Sequence, residues 1–519
     1  MDNKKKASTG KRRTPPVRKI NKMLIANRGE IVLRINKACR ALGIMTAALY
    51  TTNDHNKMLN HAVDDYAKIE GDSIAHTLLN TRKLMKAAKK LGCDALHPGY
   101  GFLAEDPLLA EACEKENILF IGPSSKALRN VAGKLDARNL AKEAGLDVIE
   151  SSRMLTTAKD AAEFARQEGY PIVLKSCTGG GGRGIRVVNN PQEIQESFED
   201  SMTESIRTSG RNQIFAEKHI QGRHIEIQFI ADKHGNALHL YDRECSIQRR
   251  HQKLIEEAPS PLSKKMKDEY GKKVCSLALK AGYAGAGTVE FLWTPEGRMQ
   301  FLEINPRIQV EHGVTEMVTG VDIVIEQIRT AQGHPLSIRQ HDIKIDGHAI
   351  ECRIIAENAR DGFSPSRGST AFVDLTSKPD EETAGHYRLR IETALYQGIH
   401  IQPQYDSLMA KVMVWAKDRR SAVKGMRDAL THLRIEGVPN TLCFCKTLMN
   451  HPDMKKGNLS TDFIKEKGLV EQYIKKTLAP DIVAAIATAI YEKEYSHKLL
   501  DEELDNWTKR AIEESFKHP

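Results

Sequence analysis

One stretch, Thr178-Gly-Gly-Gly-Gly-Arg-Gly184, limits what this chain can build more than any other. Residues 171–175 before it and 185–188 after it are β-type runs. A dinucleotide fingerprint needs a helix directly after the glycines, so that its N-terminus meets the pyrophosphate; Ile185-Arg-Val-Val188 is a strand pattern instead. A Walker A loop is also excluded, because G-x-x-x-x-G-K-[ST] occurs nowhere. The pattern that fits is a glycine-rich hairpin tip, whose bare backbone N–H groups approach phosphate closely as a flap. Lys175, ending the first strand, would meet the phosphates as a point charge. On composition alone, a flexible linker is the plain alternative.

A chain of 519 residues is long enough for several cores. Residues 1–19 read as a solvated basic tail. Residues 20–26 read as a strand, 30–42 as a helix with Ile31, Ile35, Ala38 and Leu42 on one face, and 44–50 as a second strand. That βαβ unit, followed by short strands at 95–97 and 118–121, predicts a doubly wound parallel sheet over 20–131. From 132 to 335 the texture is α+β, with a lid at about 150–220 and strands at 225–231, 237–243, 288–293 and 299–305. A third, β-rich α+β domain is expected over 336–465, ending in a helix at 421–433, and 466–519 reads as a helical extension. The fold class is therefore multidomain, α/β followed by α+β.

The net charge of +9 would suggest nucleic acid, but eight basic residues against Asp2 put +7 of it in the first twenty positions. The remainder is nearly neutral, so no nucleic-acid partner is expected. No apolar run is long enough for a bilayer, and none is expected to enter a membrane. The tail lacks the apolar core of a signal peptide, and its lysines and Asp2 suit a transit peptide poorly. Nine cysteines without C-x-x-C, mostly beside apolar residues, point to reduced, buried thiols and a cytoplasmic setting.

Acidic residues recur where strands are expected. Glu290 lies in one strand and Glu303 and Asn305 in the next, across the turn Thr294-Pro-Glu-Gly297. A period of two puts Glu303 and Asn305 on one face, and the hairpin brings Glu290 opposite. An acid inside an apolar strand is costly unless a cation or donor satisfies it. Three oxygen ligands suit Mg²⁺, which keeps phosphate oxygens and water as its other ligands. A buried salt bridge from Glu303 to Arg307 is the simpler reading.

Together these residues resemble the biotin carboxylase family within the ATP-grasp superfamily. The resemblance is carried by Ile25-Ala-Asn-Arg-Gly-Glu30, His97-Pro-Gly-Tyr-Gly-Phe-Leu103, Lys175 with the glycine flap, and Gln248-Arg-Arg-His-Gln-Lys253. Phe301-Leu-Glu-Ile-Asn-Pro-Arg-Ile-Gln-Val-Glu-His312, Gly347-His-Ala-Ile-Glu-Cys-Arg353 and Tyr405-Asp-Ser407 continue it in order. It implies ATP contacts from Lys134, Lys175, Gly179, Gly180, Gly181, Gly182, Gly184, Glu217, Lys218, His224, Gln248 and His251. Mg²⁺, with Mn²⁺ as a substitute, would sit on Glu290, Glu303 and Asn305. Lys253, Arg307, Gln309 and Val310 would line the bicarbonate and biotin pocket, with Glu311 as base and Arg353 facing the biotin ureido oxygen.

The activity so implied is ATP- and bicarbonate-dependent carboxylation of biotin through carboxyphosphate. The biotinylation sequence Ala-Met-Lys-Met is absent, so the expected partners are a separate biotin carboxyl carrier protein and a carboxyltransferase subunit, with the chain itself a homodimer. The final acceptor is not encoded, although a stand-alone subunit with a helical tail resembles those of two-subunit pyruvate carboxylases and of acyl-CoA carboxylases. Two departures from the family pattern stand out: Thr178 in place of a glycine, and Gly313 after Glu311-His312, which predicts a looser backbone beside the base. Rival readings are another ATP-grasp ligase, such as the bicarbonate-phosphorylating half of carbamoyl phosphate synthetase, and a nucleic-acid-binding protein that uses the basic tail.

Overall fold

The computed structural model describes residues 16–52, 54, 57–176, 185–209, 213–375, 386–402, 404–476 and 486–488. The glycines Gly179, Gly180, Gly181, Gly182 and Gly184, the tail to residue 15 and most of the C-terminal extension lie outside them.

Five parallel strands open the fold: β1 (Lys22–Ile25), β2 (Met45–Tyr50), β3 (Asp65–Lys68), β4 (Ala95–His97) and β5 (Leu119–Phe120), in the order β3-β2-β1-β4-β5. Helix Glu30–Ala41 buries Ile31, Ile35 and Ala38, as the 3.6-residue spacing predicts, and adds Val32 and Cys39. It packs with Met23 and Ile25 on one side of the sheet, while Leu24, Ala47, Leu84 and Leu109 form the core on the other. Strand order reverses between β1 and β4, the switch point at which open α/β sheets hold their ligands. Both N-terminal motifs meet there. Asn27 Nδ2 donates to the carbonyls of Pro98 at 2.7 Å and Tyr100 at 2.8 Å. Gly99 has φ +65°, and a Cβ on it would lie 2.8 Å from that same nitrogen.

A small sheet follows, β8-β7-β9, formed by β7 (Ile172–Ser176), β8 (Ile185–Val188) and β9 (Ile214–Lys218), with β6 (Asp147–Val148) earlier in the chain. Strands β7 and β8 are antiparallel, and Lys175 opposite Ile185 is their last pair. The strands flanking the glycine run thus form a hairpin, not a strand and a helix.

The large sheet has nine strands, built on β10 (Arg223–Ala231), β11 (Ala237–Arg249), β12 (Gln252–Ala258), β13 (Gly285–Trp293), β14 (Met299–Asn305) and β15 (His348–Ile355). Its order is Arg388–Thr393, Leu408–Ala416, β15, β12, β11, β10, β13, β14, β6. The β-rich C-terminal segment therefore extends the central sheet instead of forming a separate layer. Strand β11 runs six residues past the predicted end at Arg243, because charges that look like a strand end are paired across the sheet. Helix Arg419–His432, capped by Asp418, covers the C-terminal strands with Ala422, Met426, Ala429 and Leu430. Among the described residues, no helix is long and apolar enough to cross a membrane. Eight described cysteines are free; six are buried, Cys275 is half-buried, and Cys443 is exposed, contrary to the expectation of buried thiols throughout.

Candidate active site

The β13–β14 hairpin has the predicted register: Glu290 pairs directly with Glu303, and Thr288 with Asn305. The two acids sit in different electrical surroundings. Glu290 Oε1 accepts from Lys253 Nζ at 2.9 Å, Asn305 Nδ2 at 2.9 Å and Gln309 Nε2 at 2.8 Å, and its Oε2 lies 3.0 Å from His224 Nε2. Burial would raise the Glu290 carboxyl, but Lys253 and His224 outweigh it and hold it far below the usual range. Glu303 has no hydrogen bond or ion pair among the described residues. Burial and the neighbouring Glu290 push it up, while Lys134 and Lys175 pull against them. A half-buried acid left without a donor beside a second carboxylate fits a divalent cation that prefers oxygen ligands. The alternative salt bridge does not form: Arg307 donates instead to Glu105 Oε1 at 2.7 Å, Asn305 Oδ1 at 3.2 Å and the Ile308 carbonyl at 3.2 Å.

Lys253 is the hub. Its ammonium lies 2.6 Å from Glu226, 2.9 Å from Glu290 and 2.8 Å from Glu311. Two carboxylate groupings close enough to hold a metal, His224 with Glu226 and Glu290, and Glu226 with Cys245 and Glu311, both surround this ammonium, which already supplies the cation. Glu311 is 2 % exposed, with Oε1 on Lys253 and Oε2 2.9 Å from Arg353. Burial would raise its carboxyl, yet Lys253, Arg353 and Arg243 together keep it well below the usual range. Arg353 also reaches Glu256 at 2.6 Å through Nε. Removing one member of such a buried network strands the others at about 3–5 kcal/mol.

The remaining expected residues distribute as follows. Lys134 Nζ donates to the Ser176 carbonyl at 2.7 Å, and Lys175 pairs with Glu217, which also holds Arg138. Gln248 Nε2 sits 2.9 Å from His224 Nδ1. His251 lies exposed on the β11–β12 turn at φ +63°; partial desolvation by the groups around it and the nearby Lys175 lower its pKa. Lys218, at the end of β9, is exposed where its neighbour Glu217 is buried, so the strand's alternation turns it to the opposite face. Gln309 bridges Glu290 and Arg243, while Val310 turns its carbonyl to Lys411 Nζ at 2.9 Å. The looseness expected at Gly313 is not seen: the residue is buried in the first turn of helix His312–Thr319, and a Cβ there would lie 2.3 Å from Met413 Sδ, so a larger residue would force Met413 to shift.

Three residues in the cluster went unread in the sequence. Arg243, fully buried, contacts Glu226, Gln228 at 2.8 Å, Thr315 at 3.0 Å and Gln309 at 2.7 Å. Glu226 shares its face of the sheet with Glu290, its direct partner across β10 and β13, a relation alternation could have suggested once the pairing was known. Glu105, two residues past the His97–Leu103 motif, reaches Arg307 from the first domain.

Three family models match the chain: Biotin carboxylase, N-terminal domain, over residues 19–128; Carbamoyl-phosphate synthase L chain, ATP binding domain, over 133–339; and Biotin carboxylase C-terminal domain, over 351–466. A pyruvate carboxylase subunit of Methanothermobacter thermautotrophicus is 42% identical over 452 residues, 86% of this chain and 90% of that protein. A biotin carboxylase of Nostoc is 42% identical across 86% of this chain and 99% of its own. Among solved structures, the biotin carboxylase domain dimer of 2-oxoglutarate carboxylase from Hydrogenobacter thermophilus, in complex with MgADP, ADP and bicarbonate, has a TM-score of 0.83 at 40% identity, covering 87% of this chain and 98% of that one. The ATP-binding model taken alone would also suit a carbamoyl phosphate synthetase, but the two biotin carboxylase models flank it on both sides, and the chain belongs to the biotin carboxylase family.

Proposed function

We propose that this chain uses ATP and bicarbonate to carboxylate biotin carried on another polypeptide, forming carboxyphosphate on the way. The observation that carries this reading is Glu311 held between Lys253 and Arg353, with Lys253 also on Glu290 of the acidic pair. Cations to hold an anion, a carboxylate to take its proton and a cradle for a phosphate-bound metal thus share one buried cluster. Mg²⁺ on Glu290, Glu303 and Asn305 would neutralise charge on the transferring phosphoryl group.

Glu311 removes the bicarbonate proton, and the freed oxygen attacks the γ-phosphorus as ADP leaves. A carboxylate held this low is a weak base while both cations lie on it. Bicarbonate must draw Lys253 or Arg353 toward itself, and the Glu311 carboxyl rises as it loses that partner. Arg307, tethered by Glu105, supplies a further cation for the anion. Carboxyphosphate then breaks to CO₂ and phosphate, the phosphate takes the N1′ proton of biotin, and N1′ attacks CO₂. Arg353 stabilises the negative ureido oxygen that develops. Lys134, Lys175, His224, Gln248 and His251 would bind the nucleotide, and a flap formed by the glycine run would keep water from the intermediate.

The partners of this reading are a separate carrier and a carboxyltransferase, with pyruvate or an acyl-CoA as final acceptor. A homodimer is supported by the dimer of the Hydrogenobacter relative, and a cytoplasmic setting by the free thiols. With ¹⁸O-labelled bicarbonate, the scheme requires one labelled oxygen in each phosphate released. Phosphate free of label excludes carboxyphosphate.

A further inference from the structure

The strand Leu408–Ala416 supplies none of the site residues expected from the sequence, yet two of its side chains close on either flank of Glu311. Lys411 is fully buried. Its Nζ donates to the Val310 carbonyl at 2.9 Å and pairs with Glu392 Oε2 at 2.6 Å. Two residues on, and so on the same face of the strand, Met413 fills the space at Gly313, where a Cβ would stand 2.3 Å from its sulfur. Between these two anchors lie Glu311 and His312, the latter with Nδ1 2.8 Å from the Gln309 carbonyl. The same strand pairs with β15 so that Lys411 lies opposite Arg353, and Met413 opposite Glu351. Glu392, opposite Lys411 on its other side, is also held by Arg390, which reaches Glu316 at 2.8 Å in the helix that begins at His312.

Lys411 faces three acids, Glu392, Glu351 and Glu30, yet it also gives a donor to the Val310 carbonyl, which a neutral donor or a water would satisfy as well. What the ammonium adds is a charge-assisted bond whose other end is fixed by Glu392. The peptide before Glu311 thereby acquires one orientation, set from the strand that neighbours the one bearing Arg353. Gly313 is the complementary piece, because a Cβ there would displace Met413 from its seat against the turn.

Resting on the reading that Glu311 is the base, we propose that Lys411, Glu392 and Met413 are positioning residues that clamp the Val310–Gly313 turn, setting the distance from Glu311 to bound bicarbonate. Lys411 touches no substrate in this scheme; it acts through the Val310 peptide.

The test compares the full-length chain with Lys411→Met and with the double variant Lys411→Met/Glu392→Gln, which removes both members of the ion pair together. Hydrogen exchange at residues 310–313 should accelerate at least tenfold in the double variant, while helix Ile323–Gln332 exchanges as before. In bicarbonate-dependent ATP cleavage, kcat should fall about tenfold or the KM for bicarbonate rise by that factor, with the KM for ATP within twofold of the parent. Unchanged exchange at 310–313 overturns the clamp. So does a parallel loss of both KM values together with the thermal midpoint, which marks a merely structural lysine. Should the parent itself show no biotin-stimulated ATP cleavage, the functional reading fails, and the exchange measurement still decides the clamp.

Discussion

Lys253 Nζ stands 2.8 Å from Glu311 Oε1, and the same ammonium lies 2.9 Å from Glu290. One cation therefore joins the proposed base to the proposed metal cradle, so that whatever pulls on Lys253 changes both. Glu311→Gln keeps the shape and the hydrogen-bond acceptor but removes the charge. Steady-state kinetics should show kcat lower by about 10²–10⁴, the usual worth of a positioned base, with the KM for ATP little changed.

Glu303 is the acid without a partner among the described residues, so its charge is a liability until a cation arrives. In the metal-free chain Glu303→Gln should leave thermal stability equal or higher, because a half-buried acid without a partner among the described residues is gone. In a magnesium titration of ATP cleavage the same variant should need at least about tenfold more metal. Loss of stability with no change in metal demand would remove Glu303 from the cradle.

At Gly313 the conflict is steric. Gly313→Ala should cost about 1–3 kcal/mol in urea unfolding by overpacking against Met413. Adding Met413→Ala should recover part of that cost, giving a non-additive double-mutant cycle, as expected for residues in contact. Additive losses would mean that the two do not meet.

Burial pushes the Glu30 carboxyl up to about 7, with Lys411 pulling it down and Glu392 raising it. Because the folded value exceeds the unfolded one, the folded chain binds the extra proton, and this group's contribution to stability is lost as pH rises from about 4.5 through about 7. Unfolding midpoints measured across that window should fall less steeply in Glu30→Gln than in the parent.

Local pattern revealed much of this architecture. The helix after β1, the strands flanking the glycine run and the register of Glu290 with Glu303 all follow from spacings of 3.6 and 2 within short stretches of chain. Arg243, Glu226, Glu105 and Lys411 did not emerge that way, because what makes each of them tolerable is a partner from a distant strand or domain. A buried arginine in Tyr241-Asp-Arg-Glu244 reads as the end of a strand until Glu226 and Gln309 are known to satisfy it. The same holds at Gly313: its neighbour Met413 lies a hundred residues away in the chain, so a missing side chain looked like freedom where it is close contact.

The central claim is that the acidic cradle, Lys253, Arg307, Glu311 and Arg353 serve one reaction on biotin. Release of ADP by the purified chain, with magnesium, ATP and bicarbonate, tests it when free biotin is added. The account predicts that ADP release depends on bicarbonate and rises several-fold with biotin, and that Arg353→Gln abolishes the rise; an equal rate with and without biotin would contradict it.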